Sequence, residues 1–139
     1  MTEIPGRFKT FKVEETRLAQ DFLAARLIVG EVLAGVAFET ERSRQIARDN
    51  PAAGFWNRYP WMLKADLIIE TPTEVWIVGL SMKGRASELG QLLLYRSLYA
   101  EQYRPTKPLR LGFVARRDAP EIRAEMARQG IAYFVVPEA

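Results

Sequence analysis

Apolar residues recur at helical spacing early in this chain and in near-continuous runs later. From Val13 to about Leu27, Leu18, Phe22, Leu23 and Ala25 mark one face of an amphipathic helix. The Glu14-Glu15 pair, or Thr16, suits the positive end of its dipole, and Ile28-Val29-Gly30 ends it. Residues 31–40, EVLAGVAFET, hold two apolar bursts around Gly35 and predict a strand with a bend or bulge. Glu41–Asn50 is charged and reads as a short helix or an exposed extension. Pro51–Pro60, PAAGFWNRYP, is expected to be a loop because proline and glycine punctuate it. Its Phe55, Trp56 and Tyr59 read as packing beneath that loop, with a base-stacking platform as the alternative.

Trp61–Glu70 and Glu74–Met82 are two almost unbroken apolar runs across Thr71-Pro72-Thr73. They predict a hairpin of central strands covered on both faces. Ala86–Tyr103 is rich in leucine and arginine and predicts a helix stopped before Pro105. Its Leu89, Leu92, Leu93 and Leu98 are core candidates, and Tyr99 and Tyr103 are interface or surface aromatics. Leu109–Ala115 reads as a strand. Pro120–Gln129 reads as a helix with Asp118 as a nearby cap and Gly130 as its stop, and Ile131–Val136 as a last strand. The order is α-β-β-β-α-β-α-β. Its alternating end implies parallel neighbours joined by right-handed crossovers, in a single α/β domain with a mixed central sheet.

Composition narrows the chemistry. At 139 residues, 48% apolar and 27% charged, the chain has the make-up of one globular domain, with residues 1–12 expected to be an irregular arm. No run reaches the roughly 18 apolar residues that would span a bilayer. MTEIPGRFKTFK lacks a signal-type apolar core, so a cytoplasmic location is expected. The absence of cysteine and histidine excludes disulfides, imidazole catalysis and the usual zinc sites. A metal would be held by oxygen, which favours magnesium, manganese or calcium. Residues 1–50 carry eight basic and eight acidic side chains, and residues 51–139 carry twelve and nine. This asymmetry fits a polyanion partner or an ordinary solvated basic surface.

The candidate chemistry lies in residues 66–95. Strand alternation puts Asp66, Ile68 and Glu70 on one face, and Gly79, Ser81 and Lys83 on one face of the next strand. On the following helix Glu88, Gln91 and Tyr95 share a face. Carboxylates beside a lysine are what metal-assisted phosphodiester cleavage requires. Asp66 could otherwise be a strand-end acid paired with Lys64 or Arg85, and Gln91 and Tyr95 could fill the helix–sheet seam.

Asp66, the strand ending near Lys83, and Gln91-Leu-Leu-Leu-Tyr95 together resemble the PD-(D/E)XK nuclease superfamily, in its RecB-type branch. The resemblance spans about Val13 to Val136, with its specific motifs in residues 66–95. It implies a three-layer, restriction-endonuclease-like α/β domain that engages DNA, with a magnesium or manganese ion for hydrolysis. It implies catalytic roles for Asp66, Lys83, Gln91 and Tyr95, with Asp66 as a metal ligand. Glu70 or Glu88 would stand in for a third-strand acid, since aligning that motif on Lys83 puts Ser81 at the acid and aligning it without a gap puts Gly79 there. A first-helix acid would be Glu14, Glu15 or Asp21. Arg85, Arg96, Arg116 and Arg117 are the expected phosphate contacts, although a plain solvated turn also suits Arg116-Arg117. The alternative is a catalytically silent protein reusing the fold as a homodimer or higher oligomer, with no membrane role in either case.

Overall fold

A computed structural model describes residues 13–138; the expected arm at residues 1–12 lies outside the described residues. Helix α1 (Val13–Ala24) leads into strand β1 (Glu31–Phe38), then α2 (Glu41–Asp49), the single-turn α3 (Phe55–Arg58) and a 3-10 turn at Tyr59–Trp61. Strands β2 (Leu63–Glu70) and β3 (Val75–Lys83), helix α4 (Ala86–Tyr103), β4 (Leu109–Arg117), α5 (Pro120–Arg128) and β5 (Ile131–Val135) follow. The five strands form one sheet in chain order, with β1–β2 and β2–β3 antiparallel and β3–β4 and β4–β5 parallel. None of the helices among the described residues is long and apolar enough to cross a membrane.

The sheet has a separate core on each face, which makes the domain three-layered. On one side Leu18, Ala19, Phe22 and Leu23 of α1 pack on Leu67, Ile69, Val78, Leu80 and Val114. On the other, Leu92 of α4 and Met126 of α5 close over Ile68, Ile77, Leu111 and Phe113. Consecutive residues of β2 and β3 thus feed opposite cores, which is why those strands read as unbroken apolar runs. Leu89, Leu93 and Leu98 join the second core as partly buried residues, and Tyr95 and Tyr99 pack there against Phe38.

Local chemistry sets the boundaries. Helix α1 stops at Ala24, short of the expected Leu27, as Arg26 turns to φ 55. In β1, Gly35 has φ 64 while the register to β2 is the same on both sides, so the strand bends without inserting a residue. The charged stretch after β1 is a helix because Thr40 and Ser43 form a capping box, each side chain bonding the other's backbone N–H (3.0 and 2.8 Å). The expected loop at 51–60 contains α3 and the start of the 3-10 turn. At the hairpin, Thr71 N–H donates to Glu74 O (2.8 Å) and Glu74 N–H donates to Thr71 Oγ1 (2.9 Å). Asp118 does not cap α5; it pairs with Arg123 at 3.3 Å, and Ala119 stands at the cap without a side-chain bond.

Gly30 carries a steric constraint. A Cβ there would lie 2.2 Å from the carbonyl oxygen of Glu70, a backbone atom that cannot swing away. Gly90, on the exposed side of α4, has open space around the same position. Gly30→Ala is therefore expected to destabilise the fold by about 2 kcal/mol or more. Gly90→Ala is expected to stabilise it by about 0.5–1 kcal/mol through helix propensity. Urea unfolding midpoints of the two variants test the contrast.

Candidate active site

Asp66 sits where the sheet opens. The β2–β3 ladder ends at Leu67 and Val78, and the Gly35/Asp66 position is skipped in the β1–β2 ladder. In that gap, Asp66 Oδ2 accepts the backbone N–H of Leu80 at 2.8 Å. A small cavity of about 60 Å³ lies beside it. Strand β2 contributes Lys64 and Asp66 to its wall, β3 contributes Gly79 and Leu80, and α4 contributes Glu88, Gln91, Leu92 and Tyr95. The space suits a few waters or a small ion; a nucleotide needs several times more.

The electrostatics are those of crowded acids. Burial pushes the Asp66 carboxyl up to about 7; the Leu80 N–H works against this, while Glu15 on α1 and Glu88 add to it. Burial also raises Glu88, opposed by Arg85 and the Ser81 hydroxyl. Both Glu88 carboxylate oxygens are buried, and neither makes a hydrogen bond of good geometry. Tyr95 is raised by burial and then by Asp66. Of the three first-helix acids, Glu15 is the one that acts on Asp66, whereas Asp21 pairs with Arg116 at 2.8 Å.

The expected site residues thus separate into two groups. Asp66, Glu88, Gln91 and Tyr95 come together. Glu70 does not join them: it lies at the far end of β2, bound to Lys107 at 2.6 Å. Lys83 is exposed at the end of β3, opposite Arg117 in the parallel ladder, and lines no part of the cavity. Gly79 does line it, and a Cβ there would touch Phe113 Cδ1 and Leu92 Cδ2 at 3.4 and 3.5 Å. Of the two positions considered for a third-strand acid, Gly79 lines the cavity and Ser81 does not.

Lys64, rather than Lys83, is the lysine on the cavity wall. It lines the cavity, donates to Met62 O at 3.1 Å, and holds its ammonium 4.5 Å from the Tyr59 ring centre. Burial lowers its pKa. The signal for it was present, since residues two apart on a strand share a face and Lys64 stands two before Asp66. Neither Lys64 nor Arg85 forms an ion pair with Asp66 among the described residues.

Three of the four expected phosphate contacts are exposed: Arg85 at the cap of α4, Arg96 on its outer side and Arg117 at the end of β4. Arg116 is not available. Its side chain is 9% exposed, bound to Asp21 and to the carbonyls of Val136 and Pro137, and it ties α1 to the end of the sheet. Among the described residues no group of three or more acids is close enough to hold a metal ion. Two carboxyl groups of a hard-cation kind do line one cavity, and the orphaned oxygens of Glu88 fit a cation that keeps most of its water.

Fold and site together define a three-layer α/β protein with a recessed pair of carboxyl groups at a split in its sheet. No family model matches the chain, and neither a curated protein nor a solved structure shows significant similarity to it.

The raised Asp66 pKa has a definite sign in stability. The folded state holds a proton on Asp66 up to about pH 7, whereas an unfolded carboxyl loses it near 3.8, so folding is weakened as pH rises between the two. Asp66→Asn keeps an acceptor for Leu80 and removes the charge. The variant is expected to gain stability over the parent from about pH 4 upward, levelling off above about pH 7 at roughly 1–3 kcal/mol. Chemical unfolding of both proteins from pH 4 to 8.5 checks it; a gain independent of pH would refute the titration.

Proposed function

We propose that the chain is a nuclease-like DNA-binding domain that hydrolyses phosphodiesters with magnesium or manganese at the Asp66–Glu88 cavity. The observation that carries this reading is the Glu88 carboxylate, whose oxygens are buried without a hydrogen bond of good geometry beside a second carboxyl group. Two such groups out of water are favourable only when a proton or a cation joins them. The order of elements and the Gln91–Tyr95 pair support the same reading through the PD-(D/E)XK resemblance.

Asp66 and Glu88 would hold the ion, with the Gln91 amide oxygen beside them. A divalent ion bound there would acidify a water and draw charge from the scissile phosphate. Lys64 spends one of its three N–H donors on Met62 and keeps the others for a phosphate oxygen, the role the family motif gives to a third-strand lysine. Arg85, Arg96 and Arg117 supply exposed positive charge for the DNA backbone. Gly79 favours a second reading, a silent protein that keeps this architecture as an oligomeric module, because no carboxylate stands at the family's acid position.

Linear, nicked and branched DNA incubated with Mg²⁺ or Mn²⁺ separates the two. Cleavage is expected, with Asp66→Ala slower by at least about a hundredfold and Lys83→Ala within a few-fold of the parent. Apparent Mg²⁺ affinity should rise as pH climbs toward 7, because the ion must displace the Asp66 proton. If neither cleavage nor salt-sensitive DNA binding is found, the nuclease reading fails and the silent one stands.

A further inference from the structure

Strands β1 and β2 are antiparallel neighbours that about two to five residues would join, yet residues 39–62 lie between them. This excursion is a built structure. Glu39 holds Arg58 through a forked ion pair of 3.0–3.1 Å and accepts the Ser43 hydroxyl at 2.8 Å. Gln102 of α4 clamps the backbone of Glu39 from both sides, at 2.8 and 3.0 Å. Burial pushes the Glu39 carboxyl up, but the bonds to Arg58 and Ser43 outweigh it and hold the pKa below the usual range.

On this frame stand three rings in mutual contact. Phe55, Trp56 and Tyr59 have centroids 5.0–5.6 Å apart. Tyr59 is half-buried, its hydroxyl donating to Gly35 O at 3.3 Å, but Phe55 and Trp56 do not pack beneath a loop as expected from sequence: they are 38% and 54% exposed. Next to them runs an open groove of about 510 Å³, between the excursion and the end of α4. Arg44, Arg58 and Arg104 line it against Glu39 and Glu101, and a neighbouring hollow adds Arg48. Since Arg58 and Glu39 neutralise each other, the remaining charge of groove and hollow is positive.

Arg58 lies over the Phe55 ring at 5.4 Å, so Trp56 is the more exposed ring; an exposed aromatic beside surplus arginines suits bases and phosphates together. A base inside a duplex is already stacked, so only an unpaired strand can use the rings. The groove and the acidic cavity both lie against α4. Tyr95 lines the cavity and Tyr103 the groove, two turns apart on α4 and so about 12 Å along its axis. Lys64 lies between them, with its chain on the cavity wall and its ammonium bonded to the carbonyl of Met62, a groove residue.

We propose that the excursion binds an unpaired nucleic-acid strand, stacking bases on Phe55 and Trp56 and holding phosphates with Arg44 and Arg104, and so directs that strand to the Asp66 cavity. The binding stands on its own; what happens at the cavity rests on the nuclease reading.

Fluorescence anisotropy in EDTA, with a labelled oligothymidylate of about 12 nucleotides and a duplex of equal length, tests it. The single strand is expected to bind more tightly than the duplex. Trp56→Ala should weaken it about tenfold, and Arg44→Glu should weaken it and flatten its salt dependence. Arg128→Gln, at the end of α5 and lining neither groove nor cavity, should bind like the parent, and circular dichroism confirms that the variants fold. Equal affinity for duplex, or parent-like binding by both groove variants, overturns the proposal. Equally effective competition by polyglutamate at matched charge also overturns it, in favour of an acidic protein partner. Strand binding without cleavage would leave this inference standing and remove the nuclease reading. Cleavage of single strands unaffected by either groove variant would do the reverse.

Discussion

The bond from Leu80 N–H to the Asp66 carboxylate holds together two things that a sheet ordinarily keeps apart. Strands β2 and β3 pair from Glu70 and Val75 up to Leu67 and Val78, then part. Had they continued as a ladder, backbone would occupy the space where the cavity lies. Asp66 bridges the split with a side-chain acceptor in place of a backbone one, and a polar group enters a sheet otherwise closed by apolar residues on both faces. The cost shows in its raised pKa, for the same carboxylate that satisfies a backbone donor is short of water and faces Glu15 and Glu88.

Helix α4 turns this local split into a site. Its start is anchored because Gly84 N–H donates to the Tyr133 hydroxyl at 3.0 Å, and that hydroxyl donates to Arg117 O at 2.9 Å. With the first turn fixed, Glu88 is held inward over the opening. Leu92 then buries against the sheet, and Tyr95, Tyr99 and Tyr103 descend along Phe38 at intervals of one turn. The helix therefore presents carboxylate and amide at one end and tyrosines at the other. This is how a recessed acidic cavity and an open aromatic groove come to share a single rigid element.

Much of this was legible in the chain. Unbroken apolar runs announced buried strands, the leucine-rich stretch announced α4 to the residue, and late alternation announced the parallel half of the sheet. The helical character of 55–61 was not legible, since proline and glycine at its borders read as loop punctuation. At the site, Asp66, Glu88, Gln91 and Tyr95 followed from period and spacing. That Lys83 lies off the cavity wall was not legible, because a strand's alternation gives a face but not how far along it the partner strand and helix lie. Arg116 looked like surface charge, and its partner Asp21 is far away in sequence.

What the sequence determined by itself, outside residues 41–61, is the set of local periods: which residues make strands, which make helices, and which side chains share a face. Those follow from backbone geometry and from the apolar pattern, and need no distant contact. Tertiary structure alone decided that β2 and β3 part beside Asp66, that the Glu88 oxygens are buried without a hydrogen bond of good geometry, and that Lys64 rather than Lys83 lines the cavity. It also decided that Trp56 faces outward. Each of these depends on where separate elements dock, and docking is set by the packing of two cores that no single stretch contains.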